Sequence, residues 1–251
     1  RAAQEIGLFM RKPQDVLNTT AAMLGVVYPA PWKQETILVE LVLNQSIFMR
    51  VSSADLSGQE IASSELGRGF NWNYPKEALE GMGSGKTYLS GVKFLDNHTP
   101  FVTVAVPIKK LGKIIGALIT DVNLRGMWDI VDNIRIGKTG RAFLVSSDGT
   151  IIAHQDKKKV LRNENLKEKK EVKAVLAGRT EAIESGDGLE GKWVSSYAPI
   201  SGLGWGLILM QSQDEAYLFS KIMQMQSWII IIFSELMAIL VSIFIAKVLI
   251  Q

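Results

Sequence analysis

The sequence predicts an α+β protein with two antiparallel sheets in tandem, preceded by long N-terminal helices and followed by one C-terminal transmembrane helix. Three observations support this fold class. From residue 46 onwards, runs rich in Val, Ile, Thr and aromatic residues alternate with turn signals. The pattern around Pro107 recurs around Pro199, which indicates two copies of one unit. A continuous apolar run over residues 228–246 is long enough to cross a bilayer.

The composition excludes several broad classes of protein. Hydrophobic residues make up 47% of the 251 residues, which allows one large core or two small ones and argues against disorder. The 28 Lys and Arg residues nearly balance the 25 Asp and Glu residues, so the concentrated basic surface typical of nucleic-acid binding is missing. Because the chain has no cysteine, it has neither a disulfide framework nor a thiolate ligand or nucleophile.

The first half is predicted to contain helices followed by a sheet. Residues 1–45 have helical patterning, with Pro13 as an interruption. Residues 46–134 are predicted to form a first module with a five-stranded antiparallel sheet. Two of its strands flank a polar turn, and the others are TYLSGVKF, PFVTVAVPI and KIIGALITDV. A connecting helix follows, beginning at Leu124 and ending near Gly137.

Residues 135–212 are predicted to form the second module. It opens with RAFLVSSDGTIIAHQD, in which Asp148-Gly149 is a strong hairpin signal. A stretch of mixed charge follows, which predicts a solvated loop and helix. The strands TEAIES, GKWVSSYAPI and GWGLILMQS complete the module. The order of elements matches that of the first module and favours a duplication.

The C-terminal part is predicted to reach and cross a membrane. Residues 213–227 form an amphipathic exit helix and residues 228–249 the transmembrane helix. Trp228 fits one membrane interface, and Lys247 fits the cytoplasmic side. Glu235 lies within the apolar run, where a carboxylate is costly, so we expect it to be protonated, paired or hydrated. The preceding residues are then periplasmic or extracellular, and the chain is expected to be a fragment of a longer protein.

The residues also resemble the double Cache family. The resemblance is in EALEGMGSGKTYLSGVKF, PFVTVAVPI and GKIIGALITDVNL, and again in IRIGKTGRAFLVSSDGTIIAHQD and YAPISGLGWGLILMQ. It implies two PAS-like sheets in an extracytoplasmic sensor at the inner membrane, whose membrane-distal module, residues 46–134, binds a small ligand. The ligand implied is an amino acid, carboxylate, amine or related metabolite.

The same resemblance implies signal transduction. We expect the input domain of a sensor histidine kinase in a two-component system, with a chemoreceptor or a nucleotide or diguanylate cyclase as alternatives. We also expect a homodimer, because a single membrane helix transmits shifts most readily against a partner. A membrane-anchored solute-binding protein without output is a further alternative, which the residues after Gln251 would distinguish.

Candidate ligand-binding residues follow partly from the resemblance. Amino-acid sensors of the family carry an Arg, a Trp-Tyr pair and a later Asp, and Asp121 matches the Asp. The other positions are offset, because the pair falls on Tyr74-Pro75 and the Arg on Trp72. A nearby arginine can still clamp a carboxylate, aromatic rings can line a pocket, and strand residues can face it if the register allows. The predicted set is Arg68, Trp72, Tyr74, Tyr88, Ser90, Thr103 and Asp121.

No catalytic, metal or cofactor site is predicted. His98 and His154 lack the spacing of a metal site. GMGSGKT departs from a phosphate-binding loop, because Glu80 stands where a glycine is required. An extracytoplasmic hydrolase is therefore a weaker alternative, since no nucleophile and base stand in a recognisable pattern.

Overall fold

The computed structural model describes residues 2–27, 30–65, 74–82, 85–188 and 191–249. The helices among them are α1 (Ala2–Val27), α2 (Pro31–Asn44), α3 (Tyr74–Met82), α4 (Gly126–Asn133), α5 (Lys157–Leu161), α6 (Lys170–Leu176), α7 (Gln213–Ala216) and α8 (Leu218–Leu249). The strands are β1 (Phe48–Asp55), β2 (Glu60–Ser63), β3 (Tyr88–Leu89), β4 (Lys93–Phe94), β5 (Pro100–Lys110), β6 (Lys113–Asn123), β7 (Arg141–Val145), β8 (Ile151–His154), β9 (Ala182–Gly188), β10 (Gly191–Ile200) and β11 (Trp205–Ser212).

Two antiparallel sheets follow one another along the chain. The first has the strand order β2-β1-β6-β5-β3, with β4 also paired to β5. The second has the order β8-β7-β11-β10-β9. Both orders place the first strand of the module beside the last, so the same supersecondary unit occurs twice. The predicted fold class, with tandem sheets after N-terminal helices, is confirmed.

The repeated prolines occupy equivalent places in the two sheets. Pro107 on β5 lies opposite Ala117 on β6, and Pro199 on β10 lies opposite Gly206 on β11. The connections after them differ. Between β5 and β6, Leu111 and Gly112 both have positive φ, 49° and 79°, as a tight two-residue hairpin turn requires. The connection between β10 and β11 is longer.

The main hydrophobic core joins both sheets through α1. Leu17 and Leu24 on α1 are buried against Val104 and its neighbours on the first sheet. The same cluster continues to residues of the second sheet, including Leu207. α1 contacts β5 in one sheet and β10 in the other. Burial of one helical stripe against two sheets explains how a helix containing Pro13 stays continuous over its full length.

Two sequence predictions need correction in detail. The run TYLSGVKF is divided into β3 and β4, and between them the Ser90 hydroxyl instead of a backbone carbonyl accepts the Thr103 N–H at 2.9 Å. The connecting helix is shorter than predicted and starts at Gly126. Just before it, the Asn123 side chain accepts the Arg125 backbone N–H at 2.8 Å, a local turn that delays the helix.

The long α8 extends away from the rest of the described chain. Its segment Ser220–Ile243 has a mean hydropathy of 1.9, and none of it is buried. By length and composition it is a candidate membrane span. This span starts earlier than the apolar run seen in the sequence, because the helix begins before Trp228 without a break.

Candidate functional site

The first sheet has one face against α1 and α2 and the other against α3. We call the second the α3 face. Ala78 and Met82 of α3 pack there on small side chains of the sheet, including Ala105 and Ala117. Because strand side chains alternate, the register assigns every second residue of each strand to this face. They include Arg50, Ser52 and Ala54 on β1, Thr103 and Ala105 on β5, Ala117, Ile119 and Asp121 on β6, and Tyr88 on β3.

Three polar residues form a row across neighbouring strands of the α3 face. Arg50 on β1 lies directly opposite Asp121 on β6, and Asp121 lies opposite Thr103 on β5. The Thr103 hydroxyl, which is buried, donates to Asp121 Oδ1 at 2.7 Å. A cation, a carboxylate and a hydroxyl are therefore in register on one side of a sheet whose other residues are mainly apolar or small.

Ser90 lies beside this row and joins the segment after β3 to Thr103 on β5. Its backbone N–H donates to the Thr103 carbonyl, and its hydroxyl accepts the Thr103 N–H, both at 2.9 Å. The hydroxyl also donates to the Gly91 carbonyl, so it has a partner both as donor and as acceptor. Ser90 thus positions Thr103, which in turn bonds Asp121.

The electrostatics of the row depend on Asp121. Burial raises the pKa of Asp121, while the hydrogen bond from Thr103 and the charges of Lys93 and Arg50 act in the opposite direction. Both cations also contact glutamates: Arg50 is 3.0 Å from Glu60, and Lys93 Nζ is 3.7 Å from Glu77. Their positive charge is shared among several carboxylates, so Asp121 stays poorly compensated in its ionised form.

Ser52 is a further polar group on the same face. It is 1% exposed, and its Oγ has no hydrogen-bond partner among the described residues. A buried hydroxyl without a partner costs free energy, so such groups usually bind a water or a ligand. Ser52 lies on β1 two residues after Arg50, which places it beside the row.

Tyr88 lies further along the α3 face, beneath α3. Its hydroxyl donates to Glu77 Oε1 at 2.9 Å, and burial together with that carboxylate raises the pKa of Tyr88 to about 12. A Cβ added at Gly81 would lie 2.1 Å from the Tyr88 ring, so Gly81 allows α3 to approach it. The arrangement anchors α3 to β3.

At the position equivalent to Asp121, the second sheet carries no carboxylate. Counting from the two prolines, Ser195 corresponds to Thr103 and Met210 to Asp121. Arg141 lies opposite Met210, as Arg50 lies opposite Asp121. The face around Met210 is filled by apolar side chains such as Val172 and Val175 of α6. Of the two equivalent positions, only that of the first sheet carries an acid.

The predicted site residues therefore fall into two groups. Thr103, Asp121 and Ser90 are brought together by hydrogen bonds, and Tyr88 lies on the same face. Arg68 and Trp72 lie outside the described residues, as does the side chain of Tyr74 at the start of α3. The assignment of all seven as ligand-binding residues stays a prediction.

The chain resembles a known protein family over most of its length. The sequence model described as a Cache domain matches residues 1–219. The chain belongs to the double Cache family. The predicted family resemblance is thus confirmed, and the chain carries an extracellular ligand-sensing Cache domain.

Relatives of this Cache domain include a chemotaxis receptor and two solved sensor domains. It is 33% identical to the methyl-accepting chemotaxis protein PscA of Pseudomonas syringae over 119 residues, which are 46% of this chain and 18% of PscA. The extracellular domain of a proposed histidine kinase, mmHK1S-Z2, matches with a TM-score of 0.70 at 17% identity, over 85% of this chain and 94% of that one. The ligand-binding domain of the Pseudomonas aeruginosa chemoreceptor PctC, solved with GABA, matches with a TM-score of 0.67 at 18% identity, over 84% and 95%.

The site of this Cache domain includes further polar residues that were not predicted from the sequence. Arg50, Ser52 and Lys93 lie on or beside the α3 face but were not among the candidates. The signal for β1 was present in FMRVSSAD, where Arg50 stands between the apolar residues Met49 and Val51. A charged residue inside a strand pattern was informative, but its partner on β6 could not be read from the sequence.

Proposed function

We propose that the α3 face binds a small molecule carrying an ammonium group and that the chain is the sensing region of a transmembrane receptor. The observation that carries this proposal is the in-register row of Arg50, Asp121 and Thr103. Asp121 supplies the anionic group that such a ligand requires, and Thr103 orients it. The apolar and small residues around the row suit the rest of a small metabolite.

The charges around the row favour a cation over a simple anion. Among the described residues, the carboxylates of Asp121, Glu60, Glu65 and Glu77 outnumber the cations Arg50 and Lys93 that they face. A ligand ammonium placed beside Asp121 would compensate a carboxylate that burial otherwise disfavours. GABA, the compound bound to PctC, carries both an ammonium and a carboxylate. We therefore expect an amino acid or amine rather than a carboxylic acid without nitrogen.

The output of the receptor is inferred from the relatives. The match to PscA favours a chemoreceptor over the histidine kinase expected from the sequence. The fold shared with mmHK1S-Z2 keeps the kinase as the second candidate. Both candidates, the chemoreceptor and the kinase, imply a homodimer that is held in the membrane by α8. The residues that follow Gln251 decide between them: a methyl-accepting helical region supports the first, and a kinase core supports the second.

The ligand proposal is tested by binding to the full chain in lipid nanodiscs. Amino acids, amines and carboxylic acids are screened by thermal shift, since a ligand at 100 times its Kd stabilises a protein by about 2.7 kcal/mol. Each hit is then compared with its matched analogues, as in GABA, butylamine and butyrate. We expect loss of the ammonium to abolish binding. Asp121→Asn should weaken binding about 30-fold or more, because it removes a charge-assisted contact in a desolvated site.

Asp96→Asn is the matched control for this substitution. Asp96 lies in the exposed turn between β4 and β5, away from the row. Its replacement should leave affinity unchanged. Binding of butyrate as tight as that of GABA, or affinity unaffected by Asp121→Asn, would refute the ammonium proposal. The site would then be sought in the open groove of about 530 Å³ that Arg135, Lys138 and Trp193 line beside α4.

A further inference from the structure

Residues 137–140, with the sequence Gly-Lys-Thr-Gly, form a tight loop between α4 and β7. Gly137 has a φ of +57°, which glycine adopts without strain. A Cβ at Gly140 would lie 2.0 Å from the Ile136 carbonyl oxygen, so the chain turns too sharply there for a larger residue. The loop presents the backbone N–H groups of Lys138 and Thr139 in the same direction. We call residues 137–140 the clamp loop.

The carboxylate that occupies the clamp loop belongs to Glu215, far along the chain on α7. Its Oε1 accepts the Lys138 N–H at 2.6 Å, and its Oε2 accepts the Thr139 N–H at 2.8 Å. The Thr139 hydroxyl also donates to Oε2, and the Gln211 side chain donates to the same carboxylate. These bonds lower the pKa of Glu215 to about 2, so it is ionised at physiological pH.

Further contacts close the clamp around this carboxylate. Thr139 Oγ1 accepts the Ser212 N–H at 3.2 Å, which ties the end of β11 to the same loop. A Cβ on Gly137 would lie 2.4 Å from Glu215 Oε1, so only glycine leaves room for the carboxylate. The neighbouring Asp214 has a different role, because it pairs with Lys221 of α8 at 2.9 Å.

The contact between Glu215 and the clamp loop joins two segments that lie far apart in the chain. Residues 134–136 separate the clamp loop from α4. This helix leaves the first sheet and bonds the second, because Trp128 Nε1 donates to the Ile152 carbonyl at 2.9 Å. Glu215 lies on α7, which Tyr217 separates from α8 and its candidate membrane span. The clamp loop and Glu215 therefore connect the link between the sheets with the exit helix, and the end of β11 takes part in this contact through Gln211 and Ser212.

We propose that Glu215 couples α4 to α8, so that a displacement of α4 moves the start of the exit helix. The inference rests on the proposed receptor function in that α8 is taken as the output. A carboxylate held by several donors from one loop transmits a displacement better than a single exposed ion pair, because its geometry is fixed from several directions. Without these bonds, α8 stays joined to the second sheet through the packing of α7 on β10 and β11.

The test uses the full chain in nanodiscs and needs no ligand, so its outcome is independent of the ligand proposal. Because the chain has no cysteine, spin labels can be placed at Asn133→Cys, the end of α4, and at Met223→Cys, an exposed position on α8. Pulsed EPR then measures the distance distribution between α4 and α8. Amide hydrogen exchange measures protection of the Lys138 and Thr139 N–H groups.

Glu215→Gln and Glu215→Ala should both broaden the distance distribution, and exchange at Lys138 and Thr139 should become about 10-fold faster or more. Asp214→Asn, the control, should change neither, since Asp214 contacts α8 rather than the clamp loop. Protected amides of β11 must persist in every variant, which shows that the second sheet remains folded. Faster exchange with an unchanged distance distribution would mean that Glu215 only orders the loop. That result, or no change in either measurement, overturns the proposal.

Discussion

At the scale of one residue, Asp121 is expected to favour ligand binding while it lowers the stability of the ligand-free fold. The fold buries its carboxylate on the α3 face, and that burial raises its pKa. A carboxyl group whose pKa is higher in the folded state than in the unfolded state contributes its full stabilisation at pH values below the unfolded pKa. That contribution is lost as the pH rises through the folded pKa. The ligand-free domain is therefore expected to lose stability from Asp121 as the pH rises from acid towards neutral.

Asp121→Asn should accordingly raise the melting temperature of the ligand-free chain at pH 7 while weakening ligand binding. The asparagine can still accept the Thr103 hydroxyl, but it has no charge to desolvate. A gain of about 1 kcal/mol would raise Tm by roughly 2–4 °C in a domain of this size. The gain should disappear at a pH below the ordinary range of carboxyl groups. A lower Tm at pH 7 would instead show that Lys93 and Arg50 more than compensate the buried charge.

At the scale of the element, the packing of α1 against the first sheet depends on one glycine, Gly25. A Cβ added at Gly25 would lie 2.1 Å from the backbone carbonyl oxygen of Lys109 on β5. The helix therefore approaches the strand backbone more closely than any side chain allows. Gly7, on the same helix, is different, because its nearest neighbour would be Ile200 Cγ2 at 3.9 Å.

Gly25→Ala is thus predicted to destabilise the fold by about 1–3 kcal/mol, since α1 must shift away from β5 to make room. Gly7→Ala is the matched control. It should be neutral or stabilising by roughly 0.5–1 kcal/mol, because alanine costs less backbone entropy in a helix. Chemical denaturation of both variants measures the difference. Equal stability of the two would contradict the close approach of α1 to β5.

At the scale of the whole molecule, α1 joins the two sheets into one core. The cluster that contains Leu17 and Leu24 of α1 also contains Val104 of the first sheet and Leu144 of the second. Residues of both sheets therefore lose burial together when α1 detaches. The division of the chain into modules at residues 134 and 135 stays a prediction about sequence units, and it does not require that they unfold separately.

Leu24→Ala tests this shared core. Leu24 is fully buried, so the change should cost about 2–5 kcal/mol through lost contacts and a cavity. Hydrogen exchange under partly denaturing conditions should show equal loss of protection in β5 and in β11, because one unfolding transition includes both. Loss of protection confined to β5 would show that the sheets are separate folding units and would support an energetic boundary near residue 134.

Much of this architecture follows from local sequence patterns. Hairpin signals such as Asp148-Gly149, the repeated prolines and the apolar run of α8 predicted two sheets and a membrane helix. Asp121 stood out as an acid at the end of an apolar strand. These features depend on alternation, turn chemistry and hydrophobicity, which act over a few residues and so can be read along the chain.

Only the tertiary structure decided which distant residues meet. It placed Arg50 opposite Asp121 on neighbouring strands, and it brought Glu215 to the clamp loop. A shift of one residue in register would turn Arg50 towards α1 and α2, and no local pattern specifies that register. Glu215 likewise looked like an ordinary acid in an exit helix. Such contacts arise from packing between elements far apart in the chain, so the sequence supplies the groups and the fold determines their partners.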